Sequence, residues 1–220
     1  MLELLETCSL KGRESMEQHL PFTVKEMYER RHGKKVPAMY IPDYEQLTAF
    51  CQYLKHGGHT IVLTSGVWDL FHENHYDYLD KAAKCGDVLV VGVDTDELTK
   101  KRKGPNRPVV NFDARLKLIR GLFLVDLVAV RDIHHVEADN YSLIKAVHPD
   151  VLIMSESTAD FTEEDRLNLQ PHFGRIEVLP PQGVNTTSGN VRKLILEGTE
   201  ELAKEIVEFI DRKLKGKNER

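Results

Sequence analysis

Cysteine is scarce in this chain of 220 residues, which contains only Cys8, Cys51 and Cys85. The three are far apart, odd in number and form no Cys-x-x-Cys pair, which excludes a disulfide framework and a cysteine-based metal site. Such cysteine usage favours a reducing compartment. We therefore expect a cytoplasmic protein in which no side chains form a metal centre.

Long apolar runs and an excess of positive charge are absent as well. No run approaches the ~20 residues of a membrane span, and the N-terminus lacks the basic and apolar regions of a signal peptide. The net charge is −5 at pH 7, which argues against broad binding to nucleic acids or to anionic membranes. We expect neither a membrane nor a nucleic acid as a partner.

The two commonest glycine-rich phosphate loops are also missing. The sequence contains neither Gly-x4-Gly-Lys-Ser/Thr nor Gly-x-Gly-x-x-Gly. The first absence excludes the P-loop, which cradles phosphates in many nucleotide hydrolases. The second disfavours an NAD-binding oxidoreductase, because the dinucleotide pyrophosphate is bound by those glycines.

Strand-like apolar stretches alternate with segments of helical spacing from about residue 42 onward. The most apolar stretch, Val88–Val93, is typical of a central parallel strand buried on both faces. The alternation predicts an α/β fold with a Rossmann-like parallel sheet flanked by helices. We expect one domain over 42–220, preceded by a helical N-terminal extension over 1–41. The predicted strands are 60–64, 88–93, 127–130, 151–154 and 176–179, and the predicted helices are 44–54, 76–85, 114–124, 141–147, 163–171, 191–196 and 200–214.

The segment from Ser65 to His75 carries the clearest functional signal. It connects a predicted strand to a predicted helix, which puts His72 and His75 outside the carboxyl end of a parallel strand, where such sheets bind ligands. Free backbone N–H groups and the helix dipole favour phosphate at that position. The i, i+3 spacing is weak evidence by itself, since His56 and His59 share it in an ordinary glycine-containing loop.

A second cluster, which we call the basic segment, runs from Lys100 to Pro108 and concentrates cations in an acidic protein. Its Gly and Pro residues predict a loop just beyond the carboxyl end of strand 88–93. A solvated loop is the ordinary interpretation. Its position on the same sheet edge as His72 favours a polyphosphate clamp instead, and Arg115 on the next helix could reach the same place.

Two further polar groups follow strands. Asp94-Thr95-Asp96 comes directly after strand 88–93. Its carboxylates could bind ribose hydroxyls or a hydrated Mg²⁺, or else an Asp or the Thr could cap a helix. The segment Gly183–Ser188 lies between the last predicted strand and a helix. Its hydroxyl and N–H groups could cradle a phosphate, or a single Thr or Ser could serve as a plain N-cap.

These clusters together resemble the nucleotidyltransferase superfamily with the His-x-Gly-His signature, which has the cytidylyltransferase-like fold. The resemblance is greatest to the adenylyltransferase domain of bacterial ADP-heptose synthases, and glycerol-3-phosphate cytidylyltransferases are further off. It covers about 44–196, with four segments in the expected order. These are Thr64–His72 for the Asn-Gly-x-Phe-Asp-x-x-His turn, Thr99–Pro108 with Arg115 for the basic region, Pro149–Leu152 for the strand before the acceptor site, and Gly183–Ser188 for the Ser-Thr-Thr segment.

Four departures from the family pattern stand out. Asn74 replaces the Gly between the histidines, Trp68 replaces a Phe, and Asn185 replaces the first Ser of Ser-Thr-Thr. The Val-Lys-Gly-Gly-Asp-Tyr of the family becomes a longer segment, 153–161, without the Lys. The acceptor is therefore expected to differ from that of the heptose enzymes.

The resemblance implies transfer of a nucleoside monophosphate from CTP or ATP to a phosphorylated small-molecule acceptor such as a sugar or polyol phosphate. Pyrophosphate is released, and Mg²⁺ bridges the phosphates with few protein ligands. A homodimer remains an open expectation, and the departures motivate an alternative, a catalytically weak or inactive relative that binds a nucleotide as a sensor or interaction module. The implied catalytic residues are His72, His75, Lys103 and Arg115, and the implied nucleotide-binding residues are Ser65, Gly66, Val67, Trp68, Asp69, Asn74, Asp94, Arg107, Gly183, Asn185, Thr186 and Thr187.

Overall fold

The computed structural model describes residues 37–156 and 161–180, together with the isolated helical positions Thr199, Lys204, Val207 and Glu208. The chain divides into two compact units, 1–182 and 183–220. The predicted helix 191–196 lies outside the described residues, as does most of 200–214. The predicted domain boundary after residue 41 stays a prediction. Within the described ranges, no helix has both the length and the apolar character needed to cross a membrane.

Strands and helices alternate along the first unit, as the sequence pattern predicts. A 3-10 turn, 170–172, directly follows the helix of residues 163–169. In chain order the elements are β1 (Met39–Tyr40), α1 (Tyr44–His56), β2 (Ile61–Gly66), α2 (Glu73–Ala83), β3 (Val88–Asp94), α3 (Asp96–Lys103), α4 (Phe112–Gly121), β4 (Leu127–Arg131), α5 (Ile133–Ala138), α6 (Ser142–Val147), β5 (Val151–Ser155), α7 (Glu163–Leu169) and β6 (Arg175–Leu179).

The six strands form one sheet in the order β1-β4-β3-β2-β5-β6, and every pairing is parallel. This confirms the predicted α/β, Rossmann-like fold. From β2 the chain proceeds outward through β3 and β4 on one side and through β5 and β6 on the other. The strand order therefore reverses between β2 and β5, and sheets of this kind bind ligands outside the carboxyl ends of the strands at such a reversal.

Each face of the sheet has its own apolar core. Alternate residues of a strand point to opposite faces, so Leu63 and Val62 of β2 belong to different clusters. The core around Leu63 contains apolar side chains of α1, α6 and α7, including Phe50. The core around Val62 contains those of α2 and α4, including Leu79. Both helix layers pack against the central strands and leave the carboxyl edge of the sheet open to the connecting segments.

Side-chain caps define where several helices begin. Asp43 accepts a hydrogen bond from the backbone N–H of Gln46 at 2.8 Å, and Asn111 caps α4 in the same way. These short polar side chains satisfy N–H groups that have no partner within the helix. The caps explain why α4 starts two residues before its predicted first residue, Ala114.

Three elements differ from the expectations. The basic segment was predicted to be a loop, but its first four residues form the last turn of α3, which ends at Gly104 with φ = 95°. Only Leu98 and Thr99 are buried on this helix, so it has little apolar periodicity to reveal it. The short elements β1 and α5 were not predicted, and the two residues of β1 precede the predicted domain start.

Candidate active site

The connection from β2 to α2 is tightly folded around Trp68. Its indole is buried and its Nε1–H donates to the carbonyl of Gly92 on β3 at 3.0 Å. A Cβ on Gly66 would lie only 3.2 Å from that ring, so a side chain at this position would crowd the indole. Trp68 and Leu70 have φ angles of 57° and 44°, a left-handed conformation that costs energy in residues other than glycine. This connection is held in place by packing of the indole.

His72 and His75 meet at the start of α2. Their ring centroids are 4.1 Å apart and the rings are nearly parallel, with 24° between their planes. His72 is the N-cap residue but forms no side-chain cap. Both ring nitrogens of His72 and Nδ1 of His75 are buried without a hydrogen-bond partner in the described structure. A buried polar atom left unpaired costs about 1–3 kcal/mol, so these nitrogens are available to a ligand.

Burial keeps both imidazoles uncharged. Desolvation, together with the neighbouring His72 and Lys103, lowers the pKa of His75 from 6.5 to about 4, against a raising effect of Asp69. The pKa of His72 is also lowered by desolvation, against a smaller opposing effect of Glu73. A neutral imidazole carries one donor and one acceptor nitrogen, so each ring can donate one hydrogen bond to a phosphate oxygen.

Asp69 ties the β2–α2 connection to the basic segment. Its buried carboxylate accepts hydrogen bonds from the backbone N–H groups of Val109 and Val110, at 3.0 and 2.9 Å, and from Arg107 at 3.1 Å. Burial opposes ionisation, but these hydrogen bonds and the Arg107 charge outweigh it and lower the pKa of Asp69. The carboxylate therefore stays charged and holds Arg107 and the residues after it against the β2–α2 connection.

Lys103 is the last residue of α3 and is an available cation of this edge. Its side chain is exposed to solvent, and its Nζ makes no hydrogen bond or ion pair with the described residues. Its pKa is lowered by partial desolvation and by the charges of Arg102 and Arg107, while Asp94 raises it. Desolvation and the nearby positive charges disfavour the charged form of Lys103. An anion bound next to this ammonium group would therefore be stabilised by it.

Arg115 has a buried position with protein partners. Its guanidinium is 2% exposed and donates to the carbonyls of Val110, Val67 and Asp94 and to the Asp96 carboxylate. It thereby connects the basic segment, the β2–α2 connection, the end of β3 and the start of α3. Its predicted contact with phosphate stays a prediction, and the geometry makes it a positioning residue.

Asp94 is enclosed by two arginines. Its carboxylate is fully buried and accepts from Arg102 at 2.8 Å and from Arg131 at 3.2 Å. The same Nη1 of Arg131 donates to the hydroxyl of Ser65 at 3.2 Å. The predicted role of Asp94 as a ribose or Mg²⁺ ligand stays untested, and both of its oxygens already have partners. Sequence reasoning missed Arg102 as an ion-pair partner and missed Arg131 altogether.

The remaining predicted residues fall into two groups. Asn74 lies in the first turn of α2, beside the histidine pair. The Ser-Thr-Thr-like segment lies outside the described residues, with its predicted contacts Gly183, Asn185, Thr186 and Thr187. Of the predicted site residues that the structure describes, all lie at the carboxyl edge of the sheet. Their exact ligand contacts stay predictions.

A metal site formed by the protein alone is not evident in the described ranges, 37–156 and 161–180. They contain no group of three or more His, Cys, Asp or Glu residues arranged around a common point. Asp69 and Asp94, the buried carboxylates of this edge, accept from backbone N–H groups and arginines.

The comparisons with known proteins agree with this arrangement. A cytidylyltransferase-like family model matches residues 63–179, more than half of the chain. A protein named bifunctional protein HldE from Nitratiruptor sp. is 38% identical over 128 residues, 58% of this chain and 27% of that protein. A protein of the same name from Haemophilus ducreyi is 31% identical over 166 residues, 76% of this chain and 31% of that protein. The chain thus aligns with less than a third of either relative.

A solved structure adds evidence on the fold. Pantoate-beta-alanine ligase from Francisella tularensis superposes with a TM-score of 0.53 over 69% of both chains, at 13% sequence identity. At that identity the likeness concerns the fold alone. The family match covers β2 to β6, and these strands position the histidine pair, Lys103 and the Arg115 contacts. The chain belongs to the cytidylyltransferase-like family of nucleotidyltransferases.

Proposed function

We propose that this chain transfers a nucleoside monophosphate from CTP or ATP to a phosphorylated small-molecule acceptor and releases pyrophosphate. The observation that carries the proposal is the stacked pair His72 and His75, with unpartnered ring nitrogens at the start of α2. The pair stands at the carboxyl end of β2, beside the reversal of strand order. Membership of the cytidylyltransferase-like family supports the same reaction class.

In this reaction an oxygen of the acceptor phosphate attacks the α-phosphorus of the nucleotide in line with the leaving group. The bond from the α-phosphorus to the bridging oxygen breaks, and its electron pair leaves with pyrophosphate. No covalent enzyme intermediate is required, so the protein contributes positioning and charge stabilisation. His72 and His75 donate hydrogen bonds to the triphosphate as charge moves onto the leaving group, and the Lys103 ammonium neutralises phosphate charge.

The rest of the edge holds these groups in position. Arg115 and Asp69 fix the β2–α2 connection against α3 and the basic segment through the hydrogen bonds described above. Gly66 and Val67 present their backbone at the end of β2, where a nucleotide would approach. A rigid supporting shell of this kind keeps the donors aimed at the phosphates before substrate arrives.

Mg²⁺ enters this proposal as part of the nucleotide substrate. Its preferred ligands are oxygens, and it commonly keeps waters and substrate phosphates in its coordination shell. That preference fits an edge whose buried carboxylates are occupied by arginines and backbone N–H groups. When bound, the ion would neutralise phosphate charge alongside His72, His75 and Lys103.

A pyrophosphate-release assay tests the proposal. The protein is incubated with Mg²⁺, with ATP or CTP, and with a panel of sugar and polyol phosphates, and released pyrophosphate is measured by a coupled enzyme reaction. We expect release of pyrophosphate with one nucleotide and with phosphorylated acceptors only, since the corresponding unphosphorylated alcohols lack the phosphate oxygen that attacks. Nucleotide binding by calorimetry without release for any member of the panel would contradict catalysis and support the nucleotide-sensor alternative.

A further inference from the structure

Arg131 is a charged residue of the carboxyl edge to which the proposed reaction gives no role. It is the last residue of β4 and pairs in register with Asp94, the last residue of β3. Its side chain is only 12% exposed. A guanidinium so close to complete burial requires partners, and its partners here come from two other strands.

Those partners fix the orientation of the guanidinium. Nη1 donates to Asp94 Oδ1 and to Ser65 Oγ, each at 3.2 Å. The strand between β2 and β4 is β3, and its Gly92 is in register with Ser65. A Cβ on Gly92 would come within 2.8 Å of the Ser65 Cβ. A side chain at this position would also crowd Leu143, whose Cδ2 would lie 2.6 Å from the added Cβ.

The contacts of Arg131 use one nitrogen only. Within the described ranges, Nε and Nη2 donate no hydrogen bond, although a guanidinium carries five N–H groups in a planar fork. The fork is the geometry that binds phosphate or carboxylate with two parallel hydrogen bonds. Arg131 is thus held at one nitrogen and has donors left for an anion.

The local charge also favours an anion. Asp94 pairs with both Arg102 and Arg131, so the two guanidinium groups share this one carboxylate. The neighbouring Tyr44 cannot supply a counter-charge, because burial raises its pKa to about 12, against the smaller lowering effect of Arg131. Its hydroxyl donates to the carbonyl of Val130.

The opposite side of the β2 end is different. There β5 ends at Met154 and Ser155 and is followed by Glu156. These residues carry no positive charge, whereas the β3 and β4 ends carry Arg102, Lys103 and Arg131. Among the described residues that directly follow these strands, the cations that could stabilise an anionic substrate group therefore lie on the β3–β4 side.

We infer that Arg131 determines acceptor specificity, by binding the acceptor phosphate through its Nε and Nη2 donors. Ser65 and Asp94 hold the guanidinium in the orientation that this contact needs. The inference rests on the proposed transfer to a phosphorylated acceptor and assigns the residue that distinguishes that acceptor from a neutral alcohol. Under this inference the cation that binds the acceptor phosphate lies on β4. The lysine of the family's Val-Lys-Gly-Gly-Asp-Tyr segment is absent from the corresponding segment, 153–161, at β5.

Binding measurements on the full chain test this assignment without requiring turnover. Calorimetry gives Kd for a non-hydrolysable nucleotide analogue, and then for sugar and polyol phosphates added to the analogue-loaded protein. We expect Arg131→Met to raise Kd for the phosphorylated compounds by about 10- to 100-fold, the loss of a charge-assisted bidentate contact. Kd for the nucleotide analogue should stay within about twofold. Arg131→Lys should lie in between, because it keeps the charge and loses the fork.

Two controls separate the possible outcomes. Arg166→Gln removes an exposed arginine on α7 that pairs with Glu163, and it should leave both constants unchanged. His72→Ala should weaken binding of the nucleotide analogue while leaving Arg131 in place. If nucleotide binding is unchanged in His72→Ala, that result counts against the proposed function itself. If Arg131→Met were to lower the melting temperature and leave acceptor binding unchanged, Arg131 would be structural only. Two further results would overturn the inference. One is that Arg131→Met weakens nucleotide binding and acceptor binding equally, and the other is that the wild-type protein binds none of the phosphorylated compounds.

Discussion

The two ends of β2 carry histidine pairs with the same spacing but with different surroundings. His56 is exposed at the C-terminal end of α1, and its Nδ1 lies 2.7 Å from the carbonyl of Gln52. His72 and His75 lie at the N-terminal end of α2, stacked, with buried ring nitrogens that have no partner. A helix C-terminus presents carbonyl oxygens and a negative dipole end, and a helix N-terminus presents N–H groups and a positive one. The two pairs share their spacing and differ in the strand end and the helix end at which they lie, and it is this position that favours the proposed phosphate site at His72 and His75.

The largest expected effect of this difference is on turnover. His72→Ala should lower kcat for pyrophosphate release by about 100- to 1000-fold, because one preorganised donor to the developing charge is lost. His56→Ala is the matched control at the other end of β2 and should retain wild-type kcat. Circular dichroism checks that both variants are folded. Near-normal turnover in folded His72→Ala would rule out the assignment of the pair to the triphosphate.

A second test removes the contact that ties the basic segment to the carboxyl end of β2. Asp69→Asn loses the charge and one acceptor oxygen opposite Val109, Val110 and Arg107, and should lower the free energy of unfolding by about 3 kcal/mol. It should also weaken nucleotide binding, since Arg107 and the residues after it are no longer held against the β2–α2 connection. Urea titration and calorimetry measure the two effects.

The control for Asp69 is a carboxylate on the exposed surface of α2. Asp80 pairs with Lys84 one turn later, and their side chains are 36% and 72% exposed. Asp80→Asn should change stability by only a few tenths of a kcal/mol, about the worth of an exposed i, i+4 pair. Equal losses in the two variants would contradict the claim that Asp69 organises the site.

The smallest expected effect concerns pH. Because burial lowers the pKa of His75 from 6.5 to about 4, the unfolded chain takes up this proton first as the pH falls. The protein should therefore lose stability between pH 6.5 and pH 4, and no more from this group below that window. Partial exposure of the ring reduces the effect to about 2 kcal/mol.

Urea unfolding at several pH values measures this loss. His75→Gln should flatten the decrease between pH 6.5 and pH 4, whereas His56→Gln should follow the wild-type profile. A His75→Gln protein with an unchanged pH profile would show that the buried imidazole does not set this dependence.

Most of the fold was predictable because the central strands are long and apolar. Val88–Val93 is buried along its whole length and its position was predicted within one residue. Helix α3 was not predictable in the same way, because its exposed surface is highly charged and only two of its residues are buried. The strand β1 is two residues long and is stabilised by pairing with β4. Its Met39 pairs with Leu127, 88 residues later in the chain, and no local sequence pattern reveals such a contact.

The site was predictable where its residues follow strands and was less so where ion pairs join distant segments. His72, His75 and Lys103 lie at the sheet edge where the pattern placed them. Arg115 was predicted to reach phosphate, but its guanidinium contacts carbonyls and a carboxylate from three other segments. Arg131 is separated from Asp94 by 37 residues and from Ser65 by 66, so their association requires the sheet.

The sequence by itself determined the α/β alternation, the helix start at the histidine pair and the cation-rich segment after β3, because these follow from local periodicity, turn residues and charge. Only the tertiary structure decided which of those charges remain available to a substrate. Strand order brings Ser65, Asp94 and Arg131 into hydrogen-bonding distance, and burial enforces pairing of the carboxylates. A polar group enclosed by a sheet and its helices must find a partner in the protein or bind one from solution.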